Sequence, residues 1–255
     1  MTAFFELQGK IAFVTGASSG LGASFARTLA AAGCIVGVAG RRQDKLEAVA
    51  AQISDAGGTA LPLALDVTDT NAMLAGLENL SAIHGTPSII VNNAGIAIPQ
   101  GFVNAKPDDT SRTIAVNQTA LWNVAQCSAA AMMKAGVSGS IINIASIAGI
   151  AQLGGAAAYG MTKAAVVQMT KLQAQELARH NIRVNAIAPG YFETAMNESF
   201  LKSQRGQELI ARIPMQRTGH PEELDGILLL LASDRSSFMT GSVVPVDGGH
   251  LVGSL

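Results

Sequence analysis

The sequence predicts an α/β domain built on a doubly wound parallel sheet with helices on both faces. Three observations carry that prediction. Short apolar runs alternate with longer Ala-rich segments along the whole 255-residue chain. Those runs are continuously apolar, as strands buried on both faces are, where a half-exposed sheet would alternate. The first run passes through a glycine-rich turn directly into a helical pattern, which favours an open sheet over a closed barrel.

In chain order the strands are expected at 11–15, 34–39, 61–65, 89–92, 140–145, 183–188 and 243–246. Each is a run rich in Val, Ile, Leu or Ala bounded by turn residues. The helices are expected at 21–32, 43–56, 71–83, 108–135, 157–180 and 222–232, several opened by Asp, Asn, Ser or Pro and closed by Gly or Asn. No Pro-rich, Ser-rich or charged linker divides the chain, and no repeat occurs, so a single domain spans residues 1–255. Residues 191–217 hold no strand and mix Phe192, Met196, Phe200 and Leu201 with polar residues, including one short helical piece. An excursion of that length in a compact domain is a substrate lid.

Composition narrows the function. Hydrophobic residues make up 49% and charged residues 14%, enough apolar material for a large core and far from the profile of a disordered chain. A net charge of -1 lacks the basic excess that a nucleic-acid binder needs, so no nucleic-acid partner is expected. Cys34 and Cys127 lie in apolar contexts that fit reduced thiols and a cytoplasmic setting. The first residues read as neither signal peptide nor membrane span. His84, His180, His220 and His250 share no metal-ligand spacing, and no metal is expected.

Thr15-Gly16-Ala17-Ser18-Ser19-Gly20-Leu21-Gly22 follows the first strand and opens the first helix. Glycines there let the backbone approach a pyrophosphate, which the helix N-terminus holds through free N–H groups and its dipole. The Gly-x-x-x-Gly-x-Gly spacing differs from the commoner dinucleotide fingerprint, so the assignment rests on its place between strand and helix. The same stretch matches a Gly-x-Ser-x-Gly elbow that would expose Ser18 as an acyl-transfer nucleophile, with His220 or His250 as its base. At the end of the second strand stand Arg41 and Arg42, where an NAD site would offer a carboxylate to the ribose hydroxyl. A guanidinium binds a 2′-phosphate bidentately, so NADP(H) is preferred over NAD(H), with Arg42 the more dispensable of the two. Asp66 and Val67 end the third strand beside the adenine, and Asn92-Asn93-Ala94-Gly95 ends the fourth, both where open sheets bind ligands.

Ser146 ends the fifth strand, and Tyr159 and Lys163 follow, four residues apart on one helical face. An ammonium beside a phenol favours the ionised form and would bring a Tyr, ordinarily near about 10, towards neutral pH. Residues 15–22 and 92–95, together with Asn117, Ser146, Tyr159, Lys163, Pro189-Gly190 and the closing Val246-Asp247-Gly248-Gly249, resemble the short-chain dehydrogenases/reductases over nearly the whole chain. The chain is most similar to bacterial 3-oxoacyl-carrier-protein reductases and related carbonyl reductases, with sugar and polyol dehydrogenases also similar around Pro189-Gly190-Tyr191-Phe192.

The resemblance implies a seven-stranded Rossmann sheet and hydride exchange between a nicotinamide cofactor and a carbonyl or secondary-alcohol carbon. It implies Tyr159 as general acid or base, Ser146 as the group polarising the substrate oxygen, Lys163 on the nicotinamide ribose and Asn117 holding a water in a proton relay. It also places Pro189, Gly190 and Thr194 at the nicotinamide, and makes a homotetramer the expected assembly. Substrate lining is expected from Ile98, Ile147, Gln152, Leu153, Tyr191, Phe192 and Met196, a mostly apolar set that suits a medium-sized alkyl or aryl ketone or a 3-oxoester better than a sugar. Lys202, Arg205, Arg212 and Arg217 leave a carrier-protein partner open, since Glu193, Glu198 and Glu208 dilute them. A sugar or alcohol dehydrogenase is the alternative enzyme. A non-catalytic dinucleotide sensor is the alternative of another class, and retention of both Tyr159 and Lys163 speaks against it.

Overall fold

The structure, a computed structural model, describes residues 2–152, 154–193 and 198–253. Seven strands form one sheet, β1 Ile11–Thr15, β2 Ile35–Gly40, β3 Thr59–Ala64, β4 Ile89–Asn92, β5 Gly139–Ile144, β6 Ile182–Pro189 and β7 Val243–Val246. Every pairing is parallel, in the order β3-β2-β1-β4-β5-β6-β7. The chain winds outward from β1 to β3, then returns to lay β4 on the other side of β1. That reversal opens a crevice at the carboxyl ends of β1 and β4, where loops on either side diverge.

Side chains alternate between two cores. Ala12 and Val14 of β1, Ile89 and Val91 of β4, and Ile142 and Ile144 of β5 share a core with Phe25 and Leu29 of α1 (Gly20–Ala31). Leu46 and Ile53 of α2 (Gln43–Asp55) and Leu228 and Leu231 of α9 (Asp225–Ala232) complete it. On the opposite face, Phe13, Ile90 and Ile141 meet Met73, Leu77 and Leu80 of α3 (Thr70–His84) and Val124 and Met132 of α5 (Leu121–Ala135). The two-residue period of a strand, applied to runs apolar at every position, produces this double burial. Both edge strands carry a proline, Pro62 in β3 and Pro245 in β7, where a missing donor does no harm and discourages further pairing.

Local chemistry sets several boundaries. Asp69 caps α3 by accepting from the amides of Asn71 and Ala72, and Gly136, left-handed at φ 66, ends α5. The helix expected over 108–135 differs in one respect. It runs as α4 (Pro107–Ile114), a π-helical turn over Ala115–Ala120, and α5. The lid holds two helices, α7 (Glu198–Leu201) and α8 (Gln204–Arg212), where one short piece was expected.

A buried amide chain ties sheet to helix. Asn92 Nδ2 donates to Asn143 Oδ1 across β4 and β5 at 3.0 Å, and Asn143 Nδ2 donates to Thr170 Oγ1 at 3.0 Å and Gln173 Oε1 at 3.1 Å, both on α6 (Ala157–Leu177). Asn143→Ala would orphan Asn92 Nδ2 in a place water cannot reach. The expected loss is about 1–3 kcal/mol of unfolding free energy, read as a lower urea midpoint, and an unchanged midpoint would show that the chain of amides contributes nothing net.

Candidate active site

A groove of about 520 Å³ runs across the carboxyl ends of the strands. One wall is the glycine-rich turn, and Asn93 at the end of β4 clasps it. Asn93 Nδ2 donates to the carbonyls of Thr15 at 3.0 Å and Gly16 at 3.3 Å, while Thr15 Oγ1 accepts from the amides of Asn93 and Ala94, both at 3.1 Å. A side chain on Gly16 would meet Asn93 Nδ2 and Ala94 Cα at 2.9 Å, and Gly16 also takes the left-handed φ of 66. Gly22 is buried and outside the groove lining, and a Cβ there would strike Asn93 and the Gly16 carbonyl, so its glycine serves this packing. Ser19 makes no side-chain cap for α1, which leaves the first-turn amides without a capping side chain at the groove wall, the arrangement a pyrophosphate requires.

Ser18 and Ser19 both accept from Arg42, whose guanidinium reaches them at 3.0 Å and 2.8 Å. The arginine expected to be dispensable is therefore the one organised over the turn, and Arg41 lines the same end of the groove. The two hydroxyls, a base pair of arginines and no facing carboxylate on the turn make a ready phosphate site. Among the described residues no histidine lines the groove with Ser18; His220 lies against Glu193 at 3.7 Å and His250 against the Tyr191 ring, so neither serves the acyl-transfer elbow as a base. Burial pushes the Asp66 carboxyl up, yet two hydrogen bonds from Thr68 and the nearby charges of Arg41 and Arg112 outweigh it and hold the carboxyl below its usual range. Arg112, from α4, lines this groove without any local sequence signal for it.

At the opposite end, Ser146, Tyr159 and Lys163 line one stretch of wall together with Pro189 and Gly190. Ser146 is buried, and its Oγ accepts from the amide of Ala148 at 3.1 Å while its hydroxyl stands within hydrogen-bonding reach of the Tyr159 phenol. Lys163 is buried and donates to the Ile144 carbonyl at 2.6 Å, and burial brings its ammonium down to about 8. Its Nζ stands 5.7 Å from the Tyr159 ring centre. The expected depression of the Tyr159 phenol is not found. Burial raises it, Ser146 within hydrogen-bonding reach pulls it back, and the neighbouring Tyr191 phenol raises it again. The physical reason is that Lys163 points its donor at β5 and is itself costly to charge.

Asn117 sits in the π-helical turn and is completely buried. Its Oδ1 accepts from Ile96 N at 2.8 Å, and its Nδ2 donates to Ile96 O at 2.8 Å and Thr162 Oγ1 at 3.2 Å. Both amide hydrogens are therefore spent on protein groups, and the side chain clamps the segment after β4 rather than reaching into the groove. Leu21, Gly20, Val67, Ala94 and Gly95 lie in the lining as expected. Phe192 lines the groove too, whereas Ile147, at 1% exposure, is buried away from it, and Gln152 is exposed. Ile98 is half-buried and outside the lining. Leu153, Thr194 and Met196 fall outside the described residues. Among those described, no cluster of side chains suits a metal ion, and no helix is long and apolar enough to cross a membrane.

A family model described as Enoyl-(Acyl carrier protein) reductase matches residues 16–250. The chain is 37% identical over 247 residues to the 3-oxoacyl-[acyl-carrier-protein] reductase of Thermotoga maritima, covering 97% of this chain and 100% of that one. Among solved structures, a short-chain type dehydrogenase/reductase from Mycobacterium marinum matches with a TM-score of 0.92 at 40% identity, over 96% of this chain and 97% of that one. A gluconate 5-dehydrogenase from Burkholderia cenocepacia, in complex with NADP and tartrate, matches with a TM-score of 0.93 at 34% identity, over 99% and 100%.

The buried Lys163 makes stability depend on pH. Its folded value of about 8 lies below the ordinary 10.5, so between those values the unfolded chain holds a proton that the folded chain has released. Stability from this group therefore rises with pH across that window and is lost as pH falls through it. Urea unfolding of wild type and Lys163→Met, compared from about pH 7 to about pH 9.5, cancels the contribution of other thiols and phenols common to both. Wild type is expected to gain on the variant as pH rises, and parallel curves would contradict the lowered value.

Proposed function

The chain belongs to the short-chain dehydrogenase/reductase family of oxidoreductases, which act on CH–OH and C=O groups, and from that premise we propose that it reduces a ketone to a secondary alcohol with NADPH, reversibly. The observation that carries the reading is the convergence of Ser146, Tyr159 and Lys163 on one wall, at the far end of the groove from Arg41 and Arg42. Bound NADPH supplies the hydride. With substrate bound, Ser146 directs its O–H at the carbonyl oxygen and Tyr159 delivers the proton to it. A phenol raised by burial is fully protonated at neutral pH, as an acid for carbonyl reduction must be. Lys163 holds the nicotinamide ribose, and Thr194 the carboxamide. Asn117 acts by fixing Ile96, so a relay water would meet the backbone opened by the π turn rather than the Asn117 amide hydrogens.

Preference for NADPH rests on Arg42 already bound to Ser18 and Ser19 beside Arg41, a site with charge and geometry for a 2′-phosphate. The substrate is a small molecule. Lys202 is paired with Glu198 at 2.6 Å and Arg217 with Glu223 at 2.6 Å, which leaves too thin a basic surface on the lid to favour an acidic carrier protein. Exposed Trp122, Met133 and Leu172 on α5 and α6, and Phe238 and Val252 near β7, support self-association, with a homotetramer as the assembly. Oxidation of a sugar or polyol is the second reading, favoured by the likeness to a gluconate 5-dehydrogenase.

The test is oxidation of NADPH and NADH, followed at the nicotinamide absorbance, against aryl ketones, 3-oxoesters, a 3-oxoacyl thioester and keto-sugars. NADPH-linked reduction of a ketone is expected, and Arg42→Ala or Arg41→Ala should raise the KM for NADPH about 10-fold or more while leaving NADH nearly unchanged. An equal effect on both cofactors would remove the 2′-phosphate assignment.

A further inference from the structure

One charged side chain in the groove wall takes no part in the proton and hydride chemistry. Arg112 stands on α4, and Val116, four residues on in the π turn, lines the groove with it. The segment that carries both is fixed at its two ends. Gln100 Nε2 donates to Asp109 Oδ2 at 2.7 Å and Gln100 Oε1 accepts from Lys106 N at 3.0 Å, while Asn117 clasps Ile96 beyond them. Thr113, at 1% exposure, turns inward and donates to the Asp109 carbonyl at 2.7 Å, and its neighbour Arg112 turns to the groove. Arg112 is exposed, and among the described residues none of the ion pairs uses it. An exposed arginine is ordinarily a solvated charge, so its surroundings decide what it does.

The lining around it includes Leu65, Asp66 and Val67, just beyond β3, and Leu65 and Val67 are buried apolar side chains. Asp66 Oδ1 accepts from Thr68 N at 2.9 Å and Thr68 Oγ1 at 2.8 Å, and both bonds fall on that one oxygen. Burial opposes the charge on this carboxyl, but the Thr68 bonds and the nearby Arg41 and Arg112 keep it ionised, with Oδ2 left to accept from a ligand. A phosphate is not what such a place takes, because the carboxylate repels an anion and the apolar neighbours cannot solvate one. Phosphate has its partners in Arg41 and Arg42, which follow β2. A flat heteroaromatic base does fit: its faces meet apolar side chains, its exocyclic amino group donates to the carboxylate, and a guanidinium plane stacks on its ring.

We propose that Arg112 covers the adenine of the bound dinucleotide, its guanidinium stacked on the base, and so holds NADPH and NADH alike. The inference rests on the nicotinamide-dinucleotide reading above and divides the work of that site. Arg41 and Arg42 read the 2′-phosphate that one cofactor carries, and Arg112 reads the base that both share. Arg112 thereby sets how tightly the cofactor is held without choosing between the two.

The experiment is titration calorimetry of the whole chain with NADPH, NADH, 5′-AMP and reduced nicotinamide mononucleotide, which has no adenine. Salt at about 0.5 M screens the long-range pull of a cation on the phosphates. Arg112→Ala should weaken NADPH, NADH and 5′-AMP by one common factor of about 3 to 30 and leave the mononucleotide unchanged. Arg112→Gln, which keeps length and loses the charge, should do the same and carries the test if the alanine variant fails to fold. Unchanged affinity for the three adenine nucleotides overturns the proposal. A loss confined to NADPH also overturns it, because the guanidinium then serves the 2′-phosphate, and so does a loss that extends to the mononucleotide, because the groove is then distorted. A wild type that binds neither NADPH nor NADH brings down the dinucleotide reading itself, and shows before any variant is made.

Discussion

The clasp between Asn93 and the turn after β1 is the interaction on which the site depends. Two amide donations and two hydroxyl acceptances join the ends of β1 and β4, the strands on either side of the winding reversal. Because the Asn93 side chain passes through the turn, Gly16 and Gly22 must lack a Cβ, and because the turn is held open there, the N-terminus of α1 faces the groove. The glycine pattern is thus first a packing requirement and only then a binding one. A dinucleotide site follows from satisfying the backbone of two diverging strands.

The catalytic end is fastened by a second set of bonds. Asn143 holds α6 through Thr170 and Gln173, and Lys163 holds it through the Ile144 carbonyl. These bonds place Tyr159 opposite Ser146 with little freedom. The arrangement has a cost in stability, since burying Lys163 opposes its charge and burying Tyr159 opposes its ionisation. Groups kept in such surroundings are those whose proton affinity matters to function. The phenol is primed as an acid, and its tuning towards a base requires charges that the protein alone does not aim at it.

Much of this was legible in the sequence, for physical reasons. Strands buried on both faces are apolar at every position, so β1 and β4 fall on the expected residues; the half-buried edge strand β7 does so through its apolar Val-Val-Pro-Val run, and the others shift by one or two. The groove residues lie at strand ends, where the chain must leave the sheet, so Asp66, Asn93, Ser146 and Gly190 announce themselves by position. What was hidden depends on partners distant along the chain. Arg42 is organised by serines 23 and 24 residues away, and Asn117 by Ile96 at 21 residues. Ile147 turns inward after Ser146 although its neighbour faces the groove, Arg112 reaches the groove from α4, and His250 is brought in from the tail by two left-handed glycines. The sign of the Tyr159 shift is likewise tertiary, since it follows from burial and not from the spacing to Lys163.

The proton donor is the most exposed part of this picture. The direct test is Tyr159→Phe, with NADPH affinity measured by the fluorescence of the bound nucleotide and turnover measured on the ketone that wild type reduces. Removal of one hydroxyl should leave affinity near that of wild type while turnover falls by about 10²–10⁴. A variant that binds NADPH and still reduces the ketone at the wild-type rate would take the phenol out of the reaction.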